Sequence, residues 1–289
     1  MPELPEVENI AAGLRDTVLG KRLAHIDVRR PAIIKGPHRR HWRRFLTGMA
    51  GHPIAQITRR AKRLIITADN SLTLLFQLGM TGKFLVAAQP DPPAEGKTDK
   101  HTQALLTFSD NSHLRFVDTR RFGRLWLFDT LDPDNPDPAM DDAGMGPLGP
   151  EALDVSIAPF RQTLRTTRPI KALLLDQTRI AGLGNIYADE ALFAAGIHPT
   201  TPAAQIDEDA ARRLRREIKA VLRRAIRAGG TTFSDYRTPY GDMGRFQRRL
   251  RVYQRHGQPC AKCATPIERI VLVGRGTHFC PTCQAPKGR

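Results

Sequence analysis

No stretch of the sequence approaches the roughly 18 consecutive apolar residues of a membrane span, which argues against a transmembrane helix. The opening MPELPEVENI is acidic and proline-bearing and lacks the basic and apolar regions of a secretory leader, so a cytoplasmic location is expected. Cysteine is scarce, four in 289 residues, too few for a disulfide scaffold. Internal repeats and long low-complexity tracts are absent, which excludes a repeat architecture. Negative charge is nearly missing from one region. Arg212 to Arg289 holds 19 basic and 4 acidic residues, a net +15, whereas the first 211 residues hold 26 and 25, a net +1. Within that near-neutral part, Arg15 to Arg63 carries 14 basic and 2 acidic residues, and Asp129 to Asp154 carries 8 acidic and no basic ones. Two basic blocks separated by an acidic segment, in a chain of net charge +16, point to a polyanionic partner, and nucleic acid is the commonest.

Apolar Val7, Ile10, Leu14 and Val18 recur at helical spacing and predict a helix over Val7 to about Leu19. From Leu23 to Val86 the runs LAHIDVRRP, AQITRRAKRLIIT and LTLLFQLGMTG read as short strands, and HLRFVDTRRFGRLWLF has the same look. A proline- and charge-rich loop at Pro90 to Lys100 interrupts them. LDPDNPDPAMDDAGMGPLGPEAL reads as a linker. Helical patterns follow in APFRQTLRTT, GNIYADEALFAAG and DEDAARRLRREIKAVLRRAIRAGG, the last opened by acids and closed by Gly229-Gly230. The expected fold class is α+β. A β-sandwich with an amino-terminal helix occupies residues 1–130 and an acidic linker 131–155. A helical domain follows over 156–236, then a loop and cysteine finger over 237–289.

The sharpest chemical signal is Cys260-x2-Cys263 followed after sixteen residues by Cys280-x2-Cys283. Two such knuckles supply four thiolates for one tetrahedral zinc ion, a closed and therefore structural site. Two disulfides are the other reading, one that a cytosolic protein seldom keeps. The finger would staple a hairpin, VLVGRGTHF, whose tip carries Arg275 between two glycines, either aimed at nucleic acid or simply solvated. The glycine-rich turn GLGN before a helix offers backbone N–H groups and a positive dipole end to a phosphate, with Asn185 as an added donor; a plain connection is the alternative. FQLGMTG and DTRRFG set Met80 and Phe122 on glycine-flanked turns, Phe122 beside Arg120 and Arg121. Apolar side chains so placed serve as wedges between base steps or as core.

In chain order, PELPEVE, RRAKRL around Lys62, QLGMTG, DTRRFG, GLGNIYADEALFAAGIHP and the four-cysteine finger are similar to the formamidopyrimidine-DNA glycosylases, bacterial repair enzymes for oxidised purines. The resemblance runs from residue 2 to residue 283. It implies a β-sandwich, a helix–two-turn–helix domain and a zinc finger, with duplex DNA containing oxidised bases held between the two halves. It also implies a nucleophile at Pro2, freed as a secondary amine when Met1 is removed. A terminal amine of pKa near 8 is roughly 10% unprotonated at pH 7, against well under 0.1% for an ordinary lysine. Attack on the sugar C1′ of a flipped-out nucleotide would expel the base and leave a Schiff base. The iminium acidifies C2′, so strand cleavage by β- and δ-elimination follows.

By the same resemblance Glu3 protonates the opening sugar ring and Glu6, whose residue type otherwise suits a helix start at the positive end of the dipole, helps hold the site. Lys62 serves β-elimination, and Arg275 δ-elimination or the 3′ phosphate. Met80, Arg120 and Phe122 fill the void left by the flipped base, and His101, Lys171 and Asn185 contact DNA. Phe233 to Phe246 matches the loop covering the damaged base. A monomer without a nucleotide cofactor is expected. Two alternatives stand beside this reading. One is an endonuclease VIII-like enzyme for oxidised pyrimidines, against which Leu4 and the full DTRRFG trio speak. The other is a nonenzymatic zinc-ribbon protein binding damaged or structured DNA, which leaves the Pro2–Glu3 start unexplained.

Overall fold

The protein is described from a computed structural model, which covers residues 2–87, 100–132, 139–140, 143, 145–232 and 243–286. The expected loop at 90–100, much of the acidic linker and residues 233–242 of the expected cover loop lie outside the described residues, apart from Lys100. The chain forms two compact units, Met1–Pro147 with Gly229–Arg245, and Leu148–Ala228 with Phe246–Arg289.

In the first unit, α1 spans Leu4–Val18, starting three residues earlier than the apolar stripe indicates. Pro5 lies in the first turn, where its missing N–H leaves no bond unmade. Glu3 and Glu6 close a capping box ahead of it, with Glu6 Oε2 accepting the Glu3 N–H at 2.9 Å. The stripe Val7, Ile10, Leu14 and Val18 is fully buried.

It packs into a core between two sheets. One runs β1 (Leu23–Asp27), β7 (Thr102–Phe108), β8 (His113–Val117), β6 (Lys83–Ala87). The other runs β2 (Ile34–Lys35), β9 (Arg124–Phe128), β5 (Thr73–Gln77), β4 (Arg63–Ala68), β3 (Ile54–Arg60), antiparallel except for β2 on β9. Register aligns Leu64, Phe76 and Leu125, and likewise Ile66, Leu74 and Leu127, on the core face. Phe76 meets Phe84 and Phe116 of the opposite sheet at ring-centroid distances of 5.0 and 5.2 Å, which makes the pair of sheets a sandwich.

The outer face of the five-stranded sheet is covered too. Trp126 lies against Gly36, and Arg63 reaches Met140 Sδ at 3.3 Å and the Met145 carbonyl at 3.2 Å. The described part of the acidic linker is therefore packed, with Met140 buried.

α1 is tied to β3 by two long-range bonds. Arg15 Nε donates to the Ile57 carbonyl at 2.9 Å, and Arg59 Nε to Glu8 Oε2 at 2.9 Å. Partial burial pulls the Glu8 carboxyl up, but Arg59 and Arg15 more than offset it and hold it below the usual carboxylate range. Arg15 meeting Ile57 and Glu8 meeting Arg59 show that β3 runs toward the amino end of α1. The turn after β3, where Ala61 takes a φ of 53° and Lys62 follows, therefore lies at the Pro2 end of the helix.

After α2 (Trp42–Met49) of the first unit, four helices among the described residues of the second, α3 (Ile157–Thr163), α4 (Ile170–Leu175), α5 (Asn185–Ala195) and α6 (Glu208–Arg227), precede the finger hairpin of β10 (Glu268–Leu272) and β11 (Arg275–Phe279). α6 is amphipathic as its pattern indicates. Asp207 caps it, accepting the Ala210 N–H at 2.8 Å, and Leu214, Ile218, Val221, Leu222 and Ala225 are buried. α4 is six residues long, too short for a periodic signal. α5 is buried nearly all round, capped before by Gly184 and after by Gly196 at φ 66°. No helix among the described residues is long and apolar enough to cross a membrane.

Candidate active site and nucleic-acid interface

Pro2 and Glu3 are buried in the turn ahead of α1, Glu3 at 2% exposure. Glu6 holds this turn from two sides. One carboxylate oxygen takes the Glu3 N–H, and the other takes the Thr231 N–H at 2.8 Å, 225 residues along the chain. The helix-start role read for Glu6 is real, and a second role appears that local sequence could not carry. It fastens the Pro2–Glu3 turn to the Gly229–Thr232 segment of the same unit. Lys62 lies at this end of α1, on a turn that Arg59 stiffens by donating Nη1 to the Ala61 carbonyl at 2.9 Å.

Met80, Arg120 and Phe122 are brought together by a residue whose role was missed. Asp118 is fully buried; its Oδ1 accepts from the Thr81 hydroxyl and its Oδ2 accepts the Gly123 N–H at 2.6 Å. Thr81 Oγ1 accepts the Arg120 N–H at 3.0 Å, so one carboxylate clamps the Gly79–Gly82 turn to the Arg120–Gly123 turn. The turns touch so closely that a Cβ on Gly79, itself at φ 66°, would meet Phe122 and Gly123 backbone at 2.9 Å. Arg121 sits at φ 60°, a left-handed conformation costing about 1 kcal/mol for a residue with a side chain, which the Asp118–Gly123 bond helps to hold.

The outcome is an exposed platform. Phe122 is 47% exposed, Arg120 is exposed with its guanidinium carbon 4.9 Å from the Phe122 ring centre, and Met80 is half-buried. Phe122 therefore belongs to the surface and not to the core. His101 adjoins the cluster, its carbonyl accepting the Asp118 N–H at 2.9 Å and Gln103 Nε2 at 2.7 Å. The signal for Asp118 was present in the sequence: an aspartate heads DTRRFG, the residue type that takes N–H groups a few positions on.

In the second unit the structure corrects one expectation. Lys171, read as a DNA contact, is 0% exposed, with its ammonium 2.6 Å from Asp189 Oδ1 and donating to Thr277 Oγ1 at 2.8 Å and the Gly276 carbonyl at 3.2 Å. Asp189 Oδ2 also accepts the His278 N–H at 2.9 Å. A fully enclosed lysine paired in this way fixes β11 to α4 and α5. Removing one partner of such a pair costs about 3–5 kcal/mol, because the other charge is left buried alone.

Asn185 opens α5 and donates Nδ2 to the Gly276 carbonyl at 3.0 Å, next to Arg275. Val273 and Gly274, at φ 46° and 70°, form the hairpin apex. Arg275 is therefore the first residue of β11, opposite Leu272, and not the tip itself. It is exposed, as are Val271 and Val273 at 67% and 57%.

The four cysteines are unbridged, and their sulfurs all lie within 4.8 Å of one another, with neighbouring separations of 3.4 to 3.9 Å. Metal–sulfur bonds of about 2.3 Å in a tetrahedron place sulfurs roughly 3.8 Å apart, so the cluster suits a metal ion. Beneath it Phe193, Val252 and Ile267 form a small apolar core with Cys260 and Cys280.

Three family models match the chain. They are the formamidopyrimidine-DNA glycosylase N-terminal domain over residues 1–125, the H2TH domain of the same enzymes over 148–237, and the zinc finger found in FPG and IleRS over 257–286. The formamidopyrimidine-DNA glycosylase of Latilactobacillus sakei is 42% identical over 287 residues, covering 98% of each chain. MutM solved with DNA containing carbocyclic 8-oxo-G aligns at a TM-score of 0.84 and 35% identity, over 99% of this chain and 100% of that one. Lactococcus lactis FPG, solved with DNA containing an oxidized pyrimidine, aligns at 0.84 and 34% over the same shares. Platform, buried Pro2–Glu3 turn and cysteine cluster thus stand in a chain that belongs to the formamidopyrimidine-DNA glycosylase family of DNA repair enzymes.

Proposed function

We propose that the protein excises oxidised purines, 8-oxoguanine and formamidopyrimidines, from duplex DNA and cleaves the strand by β,δ-elimination. The observation that carries this reading is the buried Pro2–Glu3 turn, held by Glu6 from both sides with the Lys62 turn at the same end of α1. With Met1 removed, the Pro2 nitrogen attacks C1′, the glycosidic bond breaks and the base leaves with a proton. Glu3 gives a proton to the ring oxygen as the sugar opens, yielding the iminium. Lys62 assists loss of the C2′ proton, which expels the 3′ phosphate, and Arg275 with Asn185 steadies the backbone during the second elimination. Met80, Arg120 and Phe122 occupy the space vacated by the extruded nucleotide, and His101 supports the strand beside them. Cys260, Cys263, Cys280 and Cys283 hold one zinc ion, whose contribution is to fold the finger.

A second substrate class is favoured by one specific finding, the oxidized-pyrimidine DNA in the Lactococcus lactis complex. Product analysis separates the two. Single-turnover assays on duplexes carrying one 8-oxoguanine or one oxidised pyrimidine should show faster excision of the purine, with 3′-phosphate ends. Faster excision of the pyrimidine would reassign the substrate, and intact strands after base loss would remove the lyase step.

Asp118→Asn tests the platform. An amide cannot accept from both Thr81 and Gly123 as the carboxylate does. The expected result is a loss of about tenfold in excision rate, of the size of 1.4 kcal/mol in the barrier, with lesion-free binding within about twofold. Equal losses in both would show that Asp118 serves only the stability of the sandwich.

A further inference from the structure

A cavity of about 1040 Å³ opens in the second unit near the carboxyl end of α5, against Phe193 and Ala194. Nine residues at a rise of about 1.5 Å each put it roughly 13 Å along the helix from Asn185, away from the Asn185–Gly276–Arg275 group. Its walls are α6, the turn Phe246–Arg249 with the loop that follows, and the first cysteine knuckle.

Six cations line it: Arg224, Arg248, Arg249, Arg251, Arg255 and Lys262. Two carboxylates share the lining, outnumbered three to one by the cations. Glu217 pairs with Arg216 at 3.2 Å, and Glu190 takes the backbone N–H groups of Arg251, Val252 and Tyr253 at 2.9 to 3.0 Å. Among the described residues no carboxylate pairs with any of the six.

Two of the cations, Arg255 and Lys262, and the backbone of a third, Arg251, are also held in place. The Glu190 clamp pins the loop that carries Arg251. Arg255 braces it by donating to the carbonyls of Arg251 at 3.2 Å and Pro259 at 3.3 Å. Lys262 Nζ stands 4.9 Å from the centre of the Phe193 ring. Like charges pinned around one concavity repel one another, and a ligand with several closely spaced anionic oxygens relieves that repulsion. Guanidinium forks match phosphate oxygens in pairs.

We infer that this cavity is a second phosphate-binding groove, which takes the backbone of a second, lesion-free DNA segment while the first is held for repair. The net +15 of Arg212 to Arg289 supplies the long-range attraction for such a polyanion. Free polyphosphate offers the same chemistry. The groove does not depend on the excision mechanism proposed above, since its ligand carries no lesion.

The test uses the full-length, zinc-loaded protein saturated with a short duplex carrying an uncleavable abasic analogue. A fluorescent lesion-free duplex is then titrated in and followed by anisotropy at several salt concentrations. The native complex is expected to bind this second duplex. The triple variant R248Q/R249Q/K262Q is expected to weaken that event by about tenfold or more and to lower its salt slope by about 2–3, with the first binding event unchanged within twofold. A control, R165Q/R179Q/R212Q, removes the same charge from exposed sites outside the cavity and should leave the second event intact. Displacement of the second duplex by inorganic tripolyphosphate, through the same three residues and at lower concentration, would confirm the phosphate groove and make free polyphosphate its source. Absence of a second event overturns the inference, as does an equal loss in the control. Zinc content and circular dichroism identical to native verify that the variants are folded.

Discussion

Substituting Pro2 by glycine is expected to lower single-turnover excision and strand cleavage on the order of 10³-fold or more, a barrier increase of about 4 kcal/mol. Binding to an uncleavable abasic analogue should stay within about threefold. The separation follows from where Pro2 sits. It is buried ahead of α1 in a turn whose hydrogen bonds are made by Glu3 and Glu6, so the ring of Pro2 adds little that the helix start lacks. What it alone offers is a secondary amine that gives a permanently charged iminium at C1′, the electron sink for both eliminations. A variant that keeps Met1 should fail in the same way, because the Pro2 nitrogen is then an amide without a nucleophilic lone pair. Parallel losses of binding and catalysis would instead make Pro2 a structural residue.

Removal of the metal should have the second-largest effect. The apolar cluster under the finger is small, with Phe193, Val252 and Ile267 beside two of the cysteines, and β10 and β11 form only a two-stranded ribbon. An isolated ribbon is marginal in water, whereas a structural zinc contributes on the order of 10 kcal/mol. Cys280→Ser, or treatment with a strong chelator, is expected to release the metal and disorder the hairpin. Arg275 and Gly276 go with it, and DNA affinity falls by about 10- to 100-fold, or 1.4–2.8 kcal/mol. The sandwich should be untouched, since its core contains none of these residues. Zinc analysis, far-ultraviolet circular dichroism and anisotropy titration on one preparation check all three. Full binding by metal-free protein would remove the finger from the interface.

Features legible in the sequence were those set by local rules. The stripe of α1, the capped amphipathic α6 and the paired cysteine knuckles each follow from spacing over a few residues. The glycine-flanked turns marked where Met80 and Phe122 would stand. Long-range pairing was not legible. Lys171 matched a DNA-contacting position by resemblance, and only the fold places Asp189 and Thr277 beside it, 18 and 106 residues away. Glu6 read as a helix-start acid, yet its second oxygen takes Thr231 across 225 residues. Asp118 heads DTRRFG, and its role emerged only when β8 and the turn after β5 met. Arg275 moved from the hairpin apex to the first strand position, because the two-residue turn needs left-handed backbone and Val273-Gly274 supplies it.

Borohydride trapping on a duplex with one 8-oxoguanine opposite cytosine, using native protein beside Pro2→Gly, tests the central claim most directly. The expected result is a covalent protein–DNA complex with native protein alone, mapped by mass spectrometry to the Pro2 nitrogen. A complex that forms equally with Pro2→Gly, or one mapped to Lys62, would contradict it.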